Sequence, residues 1–342
     1  MAKLKVGVIG TGSIGNVHLS GYAECKEDVE IRALADINPT RLAEMGETYG
    51  VPAEHRYTDF EKMLAAEELD VVSVCTPNVY HYPAAKAAIL KGCHTLIEKP
   101  VVLELAHAEE LRRLAAEKGV KTMVAFSHRF IAMNIAAKKQ LDAGLIGEPF
   151  MIRVRYAHGG PYPGWAQGDW FYKKELAGGG ALLDMGIHGI DICQYFIGPI
   201  RSVSAQIRTL RKQIEVDDNA VMLLDFAPAR CLGYIECGWT SGPGFAGIEI
   251  YGDKGTMILD LFEGPRVSRG VTNPDGSVET KVEKLEVPEG PSHWPAQMQN
   301  WVRFVLGRET ITKIPGLEEG TSALAVALAA TESSQTGRRI DL

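Results

Sequence analysis

The stretch Val6-Gly7-Val8-Ile9-Gly10-Thr11-Gly12-Ser13-Ile14-Gly15 decides how this chain is read. An apolar run leads into glycines spaced GxGxxG. A helix-like segment follows, then a second apolar run from Ile31 to Ala35, then Asp36. The order is strand, glycine turn, helix, strand, acid. Gly10 permits the tight bend, Gly12 lets backbone approach a pyrophosphate, and Gly15 lets the helix pack closely on the strand. The phosphates are expected at the helix start, around Ser13 and Ile14, where N–H groups and the helix dipole favour negative charge. Asp36 falls roughly 20 residues beyond the glycines, the distance at which a carboxylate accepts both ribose hydroxyls of a dinucleotide. A plain glycine turn in an α/β domain is the alternative.

Working outward, residues 1–126 alternate strand and helix. Strands are expected over 5–9, 29–35, 71–75, 94–97 and 121–125, with helices over 42–49, 60–66, 84–90 and 106–118. Short, wholly apolar strands suit a sheet covered on both faces. Their alternation with helices predicts an α/β, doubly wound parallel Rossmann sheet with right-handed crossovers. Ligands bind beyond the strand C-terminal ends of such sheets, which selects Gly10–Gly15, Asp36, Thr76–His81 and Glu98–Pro100.

The pattern changes over 127–342, which is expected to form a second, substrate-binding and oligomerisation domain. A helix over 131–143 and a strand over 151–156 precede a Gly/Pro/aromatic loop over 158–172. A helix over 181–196 follows. Strand-like runs over 201–210, 220–226, 231–237, 247–251 and 255–259 then succeed one another without helices between them. That predicts a large, mostly antiparallel open sheet, one face of which could pair with another subunit. Helices return over 293–306 and 321–331, and the C-terminal helix is expected to pack back on the first domain.

Composition narrows the function classes. The 342 residues carry a net charge of −7 with no basic run, which gives nucleic-acid binding no electrostatic support. No apolar stretch nears the roughly 20 residues of a membrane helix. The first strand begins almost at Met1, leaving no room for a signal peptide, so a cytoplasmic protein is expected. The six cysteines form no CxxC pair and have no zinc-like His spacing, and they read as reduced, buried thiols.

Three constellations carry chemistry. Glu98-Lys99-Pro100 closes a strand and puts an ammonium beside the expected cofactor. There it could donate a proton or stabilise a developing alkoxide. A surface lysine at a strand end is the alternative. Asp184, His188 and Asp191 stand at i, i+4 and i+7 of a helix that is otherwise apolar, so one face gathers all three. His188 is the natural general base, and Asp184 could orient it or bind a hydroxyl. A satisfied structural His–Asp pair and a metal site remain open beside that reading, although no third metal ligand is evident. Thr76, Asn78 and His81 follow a strand end, where small polar groups could contact the cofactor; His81 could instead simply cap a helix.

These motifs together resemble the glucose–fructose oxidoreductase / inositol dehydrogenase / MocA family. The likeness runs nearly end to end through Gly10–Gly15, Thr76-Pro77-Asn78…His81, Glu98-Lys99-Pro100 and Gly178-Gly179-Gly180-Ala181-Leu182-Leu183-Asp184…His188…Asp191. It implies an NAD(P)-dependent oxidoreductase acting on a secondary hydroxyl, or the matching ketone, of a sugar or cyclitol. It further implies Lys99, Asp184 and His188 as the catalytic group, a cis Lys99–Pro100 bond, no metal, and homodimers or homotetramers built through the open sheet. Asp36 is followed by Ile37-Asn38-Pro39 with no adjacent Arg or Ser, which favours NAD over NADP; Arg41 is the nearby cation that could reverse this. Trp165 and Trp170 in the aromatic loop, together with Arg129, Tyr156 and His158, are the candidates for a polyol pocket; packing of the loop aromatics in the domain or a subunit interface is the equal alternative. The competing readings are a same-fold enzyme for a non-sugar substrate such as a dihydrodiol, and a non-catalytic NAD or sugar sensor.

Overall fold

The computed structural model describes residues 2–161, 166, 168–242 and 244–342. In chain order the first elements are β1 (Leu4–Ile9), α1 (Ser13–Glu24), β2 (Val29–Ala35), α2 (Pro39–Tyr49), β3 (Arg56–Tyr57), α3 (Phe60–Ala66), β4 (Val71–Val74), α4 (His81–Leu90), β5 (His94–Ile97), α5 (Leu105–Lys118) and β6 (Thr122–Val124). Then come α6 (Ala132–Asp142), β7 (Pro149–Ala157), α7 (Lys174–Ala177), a π-helical turn (Leu182–Gly186) and α8 (Ile187–Phe196). The rest is β8 (Ile200–Arg208), β9 (Asn219–Phe226), β10 (Leu232–Gly238), β11 (Phe245–Gly252), β12 (Gly255–Asp260), β13 (Gly264–Thr272), β14 (Val278–Lys284), α9 (His293–Val305), α10 (Leu317–Thr336) and β15 (Ile340–Asp341). Two compact units result: Met1–Ser127 with Tyr162–Gly178 and Pro291–Leu324, and His128–Pro161 with Gly179–Gly290 and Ala325–Leu342.

The first unit holds a parallel sheet in the order β3-β2-β1-β4-β5-β6. Its central strands are mostly apolar because both faces are covered; Val6, Val8, Leu34, Val72, Val74, Leu96 and Ile97 are buried. The order reverses between β1 and β4, the position at which doubly wound sheets open a crevice for a ligand. In the same unit α9 lies against α1. Gly21 makes room for it, since a Cβ there would stand 2.5 Å from Met298 Cγ. Trp301 Nε1 donates to Tyr22 Oη at 3.1 Å, and Tyr22 Oη shares a 2.8 Å hydrogen bond with Ser73 Oγ on β4.

The second unit holds a nine-stranded sheet in the order β14-β13-β12-β11-β7-β10-β9-β8-β15. Only β7 and β10 pair in parallel; every other neighbour is antiparallel. α6, the π turn and α8 lie on one face, over Ile152, Val154, Met222, Leu224, Ile235, Ile248 and Ile250. Gly189 lets α8 approach closely: a Cβ there would meet Ile235 Cγ2 at 3.1 Å. The other face mixes exposed Val221, Leu223 and Leu232 with cross-strand ion pairs, Arg155–Glu236, Arg153–Glu249 and Arg201–Asp225. It is therefore less apolar than the sequence suggests. The hairpin β13–β14 escapes a reading by periodicity because β14, Val-Glu-Thr-Lys-Val-Glu-Lys, is exposed at every residue. Such charged edge strands discourage pairing with other chains. No helix among the described residues is long and apolar enough to cross a membrane.

A buried acid fixes the sheet edge of the first unit. Glu67, just past α3, accepts from Arg32 Nε at 3.0 Å and Tyr57 Oη at 2.6 Å, and lies 2.6 Å from His55 Nδ1. Burial pushes its carboxyl up, but these three donors outweigh burial and hold it below the ordinary glutamate range. A depressed folded pKa contributes stability that is present above the unfolded pKa and is lost as pH falls through the folded one. Glu67→Gln is expected to destabilise the protein at pH 7 by about 1.5–3 kcal/mol. In thermal melts, the gap to wild type should narrow as pH drops below about 4. A gap that stays constant or widens in acid would show that the charge on Glu67 contributes nothing.

Candidate active site

In the first unit, β1 ends in Gly10-Thr11-Gly12 and α1 begins at once. Gly10 has φ +88°, and a Cβ there would stand 2.6 Å from the Cys75 carbonyl oxygen at the end of β4. A Cβ on Gly15 would stand 2.0 Å from the Gly10 carbonyl oxygen. Both glycines are therefore demanded by the protein's own packing. Gly12 is different, because a Cβ there would meet no protein atom within 4 Å. The space beside it is open, as the approach of a pyrophosphate to the backbone requires. The N-cap of α1 is Gly12, which has no side chain, and no acid stands in the first turn, which suits an anion at this helix end. This cradle fits a dinucleotide pyrophosphate.

Asp36, at the end of β2, is held across the glycine turn. Its Oδ2 accepts from Thr11 N–H at 2.6 Å and Thr11 Oγ1 at 2.9 Å, and its Oδ1 accepts from Asn38 N–H at 2.8 Å. Asn38 then caps α2 by accepting from Thr40 and Arg41 N–H, with Pro39 at the first helical position. Arg41 Nε donates to the Thr11 carbonyl at 2.8 Å, and its Nη1 pairs with Glu44 at 2.7 Å.

Two further turns stand at the ends of β4 and β5. Lys99 is half-buried, and the Lys99–Pro100 bond is cis. Glu98 is 7% exposed, with Oε1 3.1 Å from His18 Nε2 on α1 and Oε2 accepting from Lys99 N–H at 3.2 Å. Asn78 Nδ2 donates to the Ala177 carbonyl at 2.8 Å. Thr76 Oγ1 is buried without a hydrogen-bond partner among the described residues. His81 corrects the expectation of a cofactor contact. It is fully buried, and its ring nitrogens face the Pro100 and Thr76 carbonyls.

In the second unit the helix expected over 181–196 is broken into a π-helical turn and α8. Such wider turns recur at functional sites. Asp217 seats this segment: its carboxylate accepts from Gly180 N–H at 2.7 Å and Leu182 N–H at 2.8 Å. Burial raises the Asp217 pKa against those two donors. Asp184, inside the π turn, accepts from the indole Nε1 of buried Trp239 at 2.9 Å, with His158 Nε2 3.7 Å away. His158 Nδ1 accepts from Gly160 N–H at 2.8 Å, so the ring proton lies on Nε2, toward Asp184. His188 is buried and stacks on His128 with ring centroids 4.1 Å apart; Tyr156 meets His128 edge-on at 4.6 Å.

Asp191 has a separate task. Its carboxylate takes a two-pronged hydrogen bond from Arg129, at 2.8 and 2.7 Å, and both side chains are buried. Breaking such a pair costs about 3–5 kcal/mol, because a bare charge is left in the interior. Arg129, expected from sequence in the substrate pocket, is thus engaged in a buried ion pair. Tyr156, expected from sequence in the same pocket, is 3% exposed and packs edge-on against His128. Trp170 is half-buried and stacks on Phe171 at 3.8 Å; Trp165 lies outside the described residues. His128, Trp239 and Asp217 were not legible as site residues. The signals were slight: a polar Ser-His-Arg turn after an apolar strand, and an Asp217-Asp218-Asn219 run that reads only as a turn. No group of His, Cys, Asp or Glu fit to hold a metal ion occurs among the described residues.

Family models give these units an identity. One described as an oxidoreductase family with an NAD-binding Rossmann fold matches residues 4–126, and the GFO/IDH/MocA C-terminal domain matches residues 135–258. The chain belongs to the GFO/IDH/MocA oxidoreductase family. Among its relatives are the D-glucoside 3-dehydrogenase of Escherichia coli, 28% identical over 99% of this chain and 97% of that protein, and the myo-inositol 2-dehydrogenase of Thermotoga maritima, 26% identical over 99% and 98%. A solved structure, GenD2 of gentamicin A biosynthesis in complex with NAD, superposes with a TM-score of 0.84 at 28% identity, covering 100% of this chain and 97% of that one.

Two glycine substitutions separate packing from ligand approach in this family's fold. Gly15→Ala is expected to lower the melting temperature, since its methyl collides with the Gly10 carbonyl. Gly12→Ala should leave melting unchanged while weakening NAD by about tenfold or more, or about 1.4 kcal/mol. Calorimetric titration and thermal melts check both, and an unaltered NAD affinity in Gly12→Ala would contradict the assignment of the cradle.

Proposed function

We propose that the protein is an NAD-dependent dehydrogenase that interconverts a secondary hydroxyl and a ketone on a sugar, a sugar derivative or an inositol. The observation that carries this reading is the polar pair on the π turn and α8: an otherwise apolar segment keeps Asp184 and His188, with the acid held by a buried indole. Polar groups in such surroundings are costly unless they have hydrogen-bond partners, and Asp184 is given one by Trp239. The named activities of the glucoside and inositol relatives support the substrate class.

A bound nicotinamide would supply the hydride acceptor for oxidation of the carbinol carbon, or the hydride donor for reduction of the ketone. The chain's side chains do the rest. Lys99 donates a hydrogen bond to the reacting oxygen and stabilises its negative charge. His188 takes the hydroxyl proton in oxidation and gives it back in reduction. Asp184 orients the histidine or a neighbouring hydroxyl. Gly10, Gly12, Ser13, Ile14 and Gly15 hold the pyrophosphate, Asp36 the ribose hydroxyls, and Thr76, Asn78 and Glu98 flank the nicotinamide side. His158 and Trp170 are each candidates for contact with the sugar; an aromatic face can cover the C–H face of a ring.

NAD is preferred over NADP for two reasons. A 2′-phosphate would meet the Asp36 carboxylate, and the charge of Arg41, the cation that could compensate, is already met by Glu44. Exposed Val221, Leu223 and Leu232 on the open sheet support assembly into a homodimer or homotetramer through that face. The six cysteines are unbridged, which suits the reducing cytoplasm.

The test is absorbance of reduced nicotinamide with purified protein, NAD, and a panel of inositols, free sugars and glycosides. Turnover is expected with one polyol class. Lys99→Met should reduce it by about 10²-fold or more while NAD still binds. Near-normal turnover in that variant sinks the proposed chemistry.

A further inference from the structure

His81 opens α4 and is fully buried, yet the chemistry above makes no use of it. Its ring lies between two backbone turns. Nδ1 is 2.7 Å from the Pro100 carbonyl oxygen, and Nε2 is 2.9 Å from the Thr76 carbonyl oxygen. Thr76 follows β4 and Pro100 follows Lys99 after β5, and these strands are parallel neighbours. A carbonyl oxygen only accepts, so each contact needs an N–H on the ring. An imidazolium has two, and a neutral imidazole has one. Burial holds His81 below the ordinary histidine range; the two carbonyls and Glu98 pull the other way, and Lys99 acts in the same sense as burial. At neutral pH the ring therefore has a single proton to place.

The two turns do not need it equally. The turn after β4 has its own anchor in Asn78, which donates to the Ala177 carbonyl. Pro100 has no N–H, so its carbonyl is its only main-chain hydrogen-bonding group. That carbonyl is also the nearer of the two to the ring.

We propose that His81 is a positioning residue for Lys99: its Nδ1–H holds the Pro100 carbonyl and so fixes the turn that carries the lysine. The proposal rests on Lys99 acting on the substrate oxygen. Its force is geometric, because a displacement of about 1 Å at a reacting group can cost about 10²-fold in rate. A ring that merely filled space could be exchanged for any side chain of similar volume. A positioning ring is sensitive to where its donor sits.

Two substitutions distinguish donor positions. In His81→Asn the amide nitrogen stands near the place of Nδ1, and in His81→Gln it stands near the place of Nε2. His81→Asn is expected to keep most of the turnover. His81→Gln and His81→Leu are expected to lose about 10- to 100-fold in kcat, with NAD affinity held. Loss in Asn with retention in Gln, equal kcat in all three, or a matching loss of NAD affinity would overturn the proposal. Ring-nitrogen NMR of the labelled wild-type enzyme near pH 7.5 needs no variant to fold: a proton on Nδ1 is expected, and a proton on Nε2 overturns the assignment. Lys99→Met is assayed beside them. Retained turnover there removes the functional reading itself. An inactive Lys99→Met beside fully active Gln and Leu variants removes only the role of His81.

Discussion

The first unit depends on how closely α1 can approach the strand ends. Gly15 brings the helix within contact of the Gly10 carbonyl, and Gly10 in turn lies against the Cys75 carbonyl. No residue with a Cβ fits at either place. Once α1 is seated, several consequences follow from its position. Its uncapped start faces open space at Gly12. Thr11 reaches Asp36 through both its backbone and its hydroxyl. One turn further along the helix, His18 meets Glu98, whose other oxygen receives the backbone N–H of Lys99. A single steric constraint thus organises the cofactor cradle and steadies the strand end that bears the lysine.

The second unit solves a different problem, that of keeping polar groups on an apolar helix. The turn Ser127–Phe130 receives two of them side by side, Asp191 through Arg129 and His188 through the stacked ring of His128. The π turn gives Asp184 other neighbours, Trp239 and His158. Three residues at regular spacing therefore meet three different surroundings: a buried ion pair for Asp191, a stacked imidazole for His188 and an indole donor for Asp184. The ion pair holds the helix in register against the turn, because either charge alone would be stranded.

Much of this was legible in the sequence, for physical reasons. β1, β2, β4 and β5 are short, apolar and punctuated, so they stood out, and the glycine spacing disclosed the cradle directly. The spacing of Asp184 and His188 put both on one helical segment, and the structure keeps them there. What stayed hidden has physical causes too. β14 lacks any apolar period, and β3 and β15 are two residues long. The π turn carries no local signature in an apolar helix. Arg129 reads from sequence only as a candidate pocket residue, because the carboxylate that pairs with it is supplied 62 positions away. Trp239 is likewise 55 positions from Asp184. Long-range partners of this kind decide whether a polar side chain serves the fold or a ligand, and sequence spacing does not reveal them.

The central claim is that the Asp36 carboxylate, tied to the glycine turn and left without a free cation beside it, makes the first unit a site for NAD. Calorimetric titration of the full-length protein with NAD and with NADP, under identical salt and pH, tests it most directly. The account expects NAD to bind at least about tenfold more tightly, a difference of about 1.4 kcal/mol. Equal binding, or tighter binding of NADP, would contradict it.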